Sequence, residues 1–223
     1  QKDDTGIAAC LKHFAGYGAV NAGREYNDVE ISQRTFLEQY VKPFRMALKA
    51  KPAMVMTAFN AIDRKPISGN KELLRDLLRD KEGFDGTVIS DWGSIGQLEE
   101  QGVAADMDEA AVQAIEAGVD IDMMSPAYMF WLEKLVENGK IPESFIDESA
   151  FRVLIMKNQL GLFENPFAGL GKSEKLTPYH RAKAYELTSE SCVLLKNEKI
   201  LPLCQKQRVI WAGPLSLIHI SEP

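Results

Sequence analysis

Short apolar runs alternate with longer amphipathic stretches along this chain. Residues 7–14, 53–59, 87–89 and 119–124 are brief runs rich in small, β-branched or apolar side chains, and they read as strands buried on both faces. The stretches between them carry helical periodicity. Ser32 can cap a helix whose stripe is Leu37, Val41, Phe44 and Leu48, and Pro43 inside it predicts a kink or break. Asn70 precedes a helix with Leu73, Leu74, Leu77 and Leu78; another spans 108–116 and stops at Gly118. A helix through Trp131, Leu132, Leu135 and Val136 ends at Gly139, and one over 141–160 closes at Gly161. Four strand-helix units in succession imply a parallel sheet, and four are half of a (β/α)8 barrel. The fold class is therefore α/β.

Beyond this the pattern changes. Residues 165–175 turn to Pro, Gly and Lys, as in a linker, and Thr177-Pro178 signals a helix start. Residues 192–196 and 208–214 read as strand-like runs, the second as the first strand of a new α/β unit. Residues 216–223 fit no element. The expected organisation is a partial barrel over 1–164, a linker and connecting helix over 165–191, the start of an α/β domain over 192–215, and a tail over 216–223 foreign to the rest.

Composition narrows the function. Lys plus Arg number 26 against 32 Asp plus Glu, a net charge of −6 with no basic stripe, which argues against a nucleic-acid partner. Apolar runs stop short of the ~18 residues a membrane helix needs, so no membrane partner is expected. The chain opens at Gln1 in mid-pattern, so the lack of a leader there assigns no compartment. Three cysteines, Cys10, Cys192 and Cys204, lie among apolar residues and are expected to be buried, inert thiols. His13, His180 and His219 lack ligand spacing, and no phosphate loop or nucleophile elbow occurs. No metal or cofactor is expected.

Candidate chemistry gathers at strand ends, where α/β folds build their sites. Asp91 closes the 87–91 run. A carboxylate held there is either used chemically or caps the loop through backbone N–H groups. Lys12 and His13 end the first strand, one expected to point inward and the other toward a loop. Asp120 and Asp122 share a strand face and form either a catalytic pair or structural acids, the latter favoured by analogy with other barrel interiors. Met56 and Phe59 floor a pocket or pack the core; Trp92 stacks on a ligand or packs. The polar loop 21–28 is long enough to cover a site.

Together, Lys12-His13-Phe14-Ala15-Gly16-Tyr17-Gly18, Arg24-Glu25-Tyr26-Asn27, 55–60 (Val-Met-Thr-Ala-Phe-Asn) and Val88-Ile89-Ser90-Asp91-Trp92 resemble glycoside hydrolase family 3, the β-glucosidase-like enzymes. The stretches 73–79, 83–86 and 193–197 fit as well. The resemblance implies the C-terminal half of the barrel followed by the start of an α/β sandwich domain. It implies retaining hydrolysis of terminal β-D-glucosyl residues from an oligosaccharide or glycoside, with Asp91 as nucleophile. Lys12 and His13 would bind sugar hydroxyls, Met56 and Phe59 would line the subsite, and Trp92 would wall the leaving sugar.

The acid/base glutamate of such enzymes belongs to second-domain sequence not in this chain, and the family's first barrel strands, with its other sugar-binding Asp and Arg, are expected before Gln1. The resemblance thus leads to the expectation that the chain is a fragment, inactive by itself. The branch that uses a histidine acid has Pro and His where Ala15 and Tyr17 stand, and is disfavoured. A periplasmic or secreted setting is compatible with the family. A β-xylosidase or arabinosidase of the family, a non-catalytic sugar-binding relative, and a Schiff-base barrel enzyme using Lys12 remain as alternatives.

Overall fold

The computed structural model describes residues 7–167, 176–204, 208 and 210. The chain divides into two compact units, residues 1–170 and 171–223. Strands of the first are β1 (Cys10–Phe14), β2 (Asp28–Val29), β3 (Met54–Thr57), β4 (Ala61–Ile62), β5 (Lys65–Pro66) and β6 (Thr87–Ile89). β1, β3 and β6 form a parallel sheet in that order, with Met54 opposite both Cys10 and Thr87. Val55 and Val88 are in register and fully buried, as parallel strands covered on both faces require.

The fourth expected strand is reduced to a single parallel bridge, Ile89 to Ile121. Its backbone still runs beside β6: the Ile121 N–H donates to the Val88 carbonyl and the Ser90 N–H to the Ile121 carbonyl. Two side chains take the places a ladder would fill. The Val88 N–H donates to Asp120 Oδ2, and the Met123 N–H to Ser90 Oγ. The backbone groups are satisfied without a regular strand.

A second small sheet, β2-β4-β5, was not legible in advance. Its β4–β5 hairpin turns through Asp63 and Arg64, both at positive φ. Such turns favour Asn-Gly or Asp-Gly, so Asp-Arg gave no signal. Here Asp28 Oδ1 accepts from the Arg64 N–H and ties β2 to the turn.

The helices are α1 (Gln33–Thr35), α2 (Lys42–Leu48), α3 (Gln97–Glu100), α4 (Met107–Ala117), α5 (Ala127–Glu137), α6 (Glu143–Gln159) and α7 (Pro178–Ser191). Ser32 caps α1 as expected, its Oγ accepting from the Thr35 N–H. The disruption expected at Pro43 takes the form of a π-helical segment, Phe36–Val41, joining α1 to α2. The wider turn accommodates the missing N–H and brings residues five apart onto one face. Phe36 and Val41 are accordingly the buried pair, and Leu37 is only partly covered. A second π-helical segment, Glu72–Lys81, follows Asn70 and Lys71; Asn70 Oδ1 accepts from the Leu73 N–H, and the segment buries Leu74, Leu77 and Leu78. Each of those leucines stabilises by about 1.5–3 kcal/mol.

Asp106 caps α4 through the Glu109 N–H, and Gly118 ends it at φ 94°, a left-handed conformation that glycine adopts freely. Between β3 and β6 the backbones come very close at Gly86, where a Cβ would stand 2.5 Å from the Ala53 carbonyl oxygen and 2.7 Å from the Phe84 ring.

In the second unit α7 starts at Thr177, whose Oγ1 accepts from the His180 N–H. None of that unit's described residues is buried. The strand expected over 192–196 is not formed: Val193, Leu194 and Leu195 are exposed and, among the described residues, no backbone ladder reaches them. A strand exists only against a partner, and an apolar run cannot supply one alone. For the same reason Cys192 and Cys204 are exposed rather than buried, while Cys10, on β1, is half-buried and its thiol pKa is pushed up by burial. Most of 208–214 and all of 216–223 lie outside the described residues.

Candidate active site

Asp91 follows β6 at the C-terminal edge of the sheet and is 8% exposed. Its main chain is held on three sides. The Asp91 N–H donates to Thr57 Oγ1 at the end of β3 (3.3 Å); its carbonyl accepts from Ser90 Oγ (3.0 Å) and from the Ser94 N–H (3.1 Å). The two carboxylate oxygens differ sharply. Oδ1 accepts from the Trp92 N–H at 2.6 Å, whereas Oδ2 is buried without a hydrogen bond. The loop-capping use expected of a strand-end aspartate is present at one oxygen, and the other oxygen makes no hydrogen bond.

His13 brings its Nε2 to 3.3 Å from that free Oδ2, though not in hydrogen-bonding alignment. Burial lowers the imidazole pKa; Asp91 and Glu25 pull it upward, and Lys12 pushes it down. Burial is the largest of these effects, so the net shift favours the neutral imidazole. Lys12, the preceding residue, is exposed.

An aromatic group extends from His13. Its ring packs on Tyr17 (5.3 Å between centroids), Tyr17 on Phe59 (6.3 Å), and Phe59 edge-on to Tyr26 (4.8 Å). The Tyr17 hydroxyl donates to the Glu25 carboxylate; burial and that bond raise the phenol pKa far above its ordinary value. Loop 21–28 thus meets the site through Tyr26 and Glu25. Trp92 exposes 62% of its surface, so it is not a core residue. Met56 is half-buried on β3, in register with Ile89. Among the described contacts, no hydrogen bond, ion pair or ring contact joins the side chains of Lys12, Met56 or Trp92 to Asp91.

Asp120 and Asp122 do not form a catalytic pair. Asp120 is fully buried and paired with Arg79 (2.7 Å) and Arg152 (2.9 Å), and it also accepts from the Val88 N–H. Asp122 bonds to Ser125 and accepts from the Tyr128 N–H at the start of α5; burial raises its pKa. These are structural acids. A cleft of about 1510 Å³ opens near Arg79 and Arg152, lined also by Ala9, Ala53 and Thr87. Those three residues precede or begin β1, β3 and β6, so the cleft lies at the opposite end of the sheet from Asp91. Among the described residues no group of three or more His, Cys, Asp or Glu is placed to hold a metal ion, and no helix is long and apolar enough to cross a membrane.

Three buried hydroxyls carry no role in the sequence reading. Thr57 Oγ1 lies 2.9 Å from Ser68 Oγ, which lies 2.8 Å from Ser94 Oγ. Their sequence signals are slight: Thr57 ends a strand within the 55–60 motif, and Ser94 follows Asp91 by three residues. Asn60, within the 55–60 motif, is buried and donates to the Ala15 carbonyl, joining the ends of β1 and β3.

Comparison with known proteins agrees with this geometry. The glycosyl hydrolase family 3 N terminal domain matches residues 1–156, and the chain belongs to that family. A periplasmic beta-glucosidase of Salmonella typhimurium is 37% identical over 222 residues, covering 96% of this chain and 29% of its own length. A beta-xylosidase of Formosa agariphila is 33% identical over 215 residues, covering 91% of this chain and 30% of its own length. The chain thus spans less than a third of the curated relatives it matches. The crystal structure of a beta-glucosidase from Listeria innocua in complex with glucose superposes with a TM-score of 0.81 at 46% identity, over 88% of this chain and 28% of that one. The α/β fold is that of the family's β-glucosidases.

Proposed function

We propose that this chain carries the nucleophile-bearing part of a retaining β-glycosidase acting on terminal β-D-glucosyl residues of oligosaccharides or glycosides. The observation that carries the reading is the division of labour within one carboxylate: Asp91 Oδ1 is anchored by a backbone N–H, and Oδ2 is buried, without a hydrogen bond among the described residues, and 3.3 Å from His13 Nε2. In this reading Oδ2 attacks the anomeric carbon as the bond to the leaving oxygen breaks, and a general acid protonates that oxygen. Water then attacks the same carbon, the bond to Oδ2 breaks, and the water's proton goes to the carboxylate that acted as acid. The acid/base group is assigned outside this chain.

Lys12 and His13 are assigned to sugar hydroxyls, Met56 and Phe59 to the subsite lining, and Trp92 to the wall beside the leaving sugar. Exposure of Lys12 and Trp92 and the aromatic contacts of Phe59 support those roles. Four parallel segments in sequence order, β1, β3, β6 and 119–123, support reading 1–164 as half of a (β/α)8 barrel. The linker over 165–191 and an α/β sandwich domain starting at 192 belong to the same proposal. β-Xylosidase activity is the second reading, favoured by the Formosa agariphila relative.

The test uses the complete gene product. Aryl β-glucoside should be hydrolysed faster than aryl β-xyloside, and Asp91→Asn should lower kcat on the order of 10⁴-fold. Preference for the xyloside selects the second reading. Sugar binding without turnover, unchanged by Asp91→Asn, contradicts both.

A further inference from the structure

We infer that Thr57, through a buried chain of hydroxyls, is a positioning residue for the Asp91 nucleophile. This inference rests on the glycosidase reading above. Asp91 Oδ2 has no hydrogen bond, and Oδ1 is bonded only to the N–H of the next residue. Among the described residues no hydrogen bond from another element fixes the carboxylate, and His13 Nε2 faces Oδ2 at 3.3 Å without one, so the directional hold on its placement comes from the backbone at 90–92.

That backbone is tied to its neighbours by side-chain hydroxyls. Toward β3, the Asp91 N–H donates to Thr57 Oγ1. Thr57 Oγ1 is bonded to Ser68 Oγ, in the 3-10 turn Ile67–Gly69, and Ser68 Oγ to Ser94 Oγ. Ser94 then returns to Asp91, its N–H donating to the Asp91 carbonyl. The chain closes a ring around residues 91–94. Thr57, Ser68 and Ser94 are 0%, 2% and 3% exposed, too deep for a substrate to touch. On the other side, Ser90 Oγ accepts from the Met123 N–H and donates to the Asp91 carbonyl.

Buried hydroxyls are retained only where hydrogen-bonded, and an apolar residue of similar volume would fill the same space. What the hydroxyls add is a directional link from β3 and the 67–69 turn to the nucleophile's peptide groups. The reactive oxygen must be placed within a fraction of an ångström, so losing that link should slow bond formation while leaving sugar binding intact.

The experiment compares Thr57→Val, which keeps the branched shape, with Thr57→Ser, which keeps the hydroxyl, in the complete gene product. Measured on an aryl glycoside, Thr57→Val should lose roughly 10- to 100-fold in kcat with KM nearly unchanged. The rate of inactivation by a 2-fluoro-glycoside should fall in parallel, and Thr57→Ser should restore most of both. Should Thr57→Val fail to fold, Ser94→Ala opens the ring at its other end and should show the same split. Wild-type kcat in a folded Thr57→Val protein, or equal losses in the Val and Ser variants, overturns the positioning role alone. Absence of turnover in the unsubstituted protein overturns the glycosidase reading and this inference with it.

Discussion

His13 and Asp91 meet across a strand: β1 and β6 both flank β3 without pairing with each other, yet His13 Nε2 stands 3.3 Å from Asp91 Oδ2. His13 is the penultimate residue of β1 and Asp91 lies two residues beyond β6, so the two side chains meet at the C-terminal edge of the sheet. The pairing beneath them is irregular: the β1–β3 register shifts between Leu11 and Phe14, the span that holds His13.

His13 itself gives a pH signature. Burial lowers the His13 pKa in the folded protein, so the unfolded chain binds the proton more readily. The stability tied to neutral His13 is fully present above the unfolded value of about 6.5 and is lost progressively as pH falls from there to the folded value. Thermal midpoints measured from pH 8 to pH 5 should fall less in His13→Gln than in the unsubstituted protein.

Asp120 joins Arg79 and Arg152 in a buried cluster, with the Val88 N–H bonded to the same carboxylate. Asp120→Ala leaves the buried Arg79 guanidinium with backbone carbonyls but no counter-ion, and the buried Val88 N–H without its acceptor. A loss of about 3–5 kcal/mol is expected by urea denaturation, since breaking a buried pair from one side costs this much.

How much of this was legible in the sequence depended on whether the signal was local. Ser32, Asn70 and Gly118 mark helix ends because capping is a property of adjacent residues, and all three stand where expected. Asp91 stood out as a candidate because a carboxylate ending an apolar run is costly to hold unless it is used or caps the loop, and the cap is what the Trp92 N–H contact shows. The hydroxyls of Thr57, Ser68 and Ser94 did not stand out, since their proximity depends on three separate segments folding together. Asp120 and Asp122 had the right spacing for a pair, but the arginines that claim Asp120 come from 41 residues before it and 32 after. Val193, Leu194 and Leu195 show the opposite failure: a strand-like run that pairs with nothing among the described residues.

Gly86 is required by space. Its Cβ would collide with the Ala53 carbonyl, the group that accepts the first hydrogen bond of β6 from the Thr87 N–H. Gly86→Ala should cost about 1–3 kcal/mol, the range for overpacking. A shift in the denaturation midpoint with an unchanged denaturant slope checks it.

Trp92 separates stability from function. With 62% of its surface exposed, Trp92→Ala should change stability by no more than about 0.5 kcal/mol. If the indole stacks on the sugar, KM for an aryl glycoside should rise roughly 10-fold, the equivalent of an aromatic contact worth about 1.4 kcal/mol. Parallel melting and steady-state measurements test both halves.

The assignment of Asp91 as nucleophile is tested most directly by covalent trapping. The complete gene product is incubated with a 2-fluoro-glucoside that accumulates the glycosyl-enzyme intermediate, then digested and analysed by mass spectrometry. The account predicts the label on the peptide containing Asp91, with no label in Asp91→Asn. Turnover of the substrate accompanied by label on any other residue contradicts it.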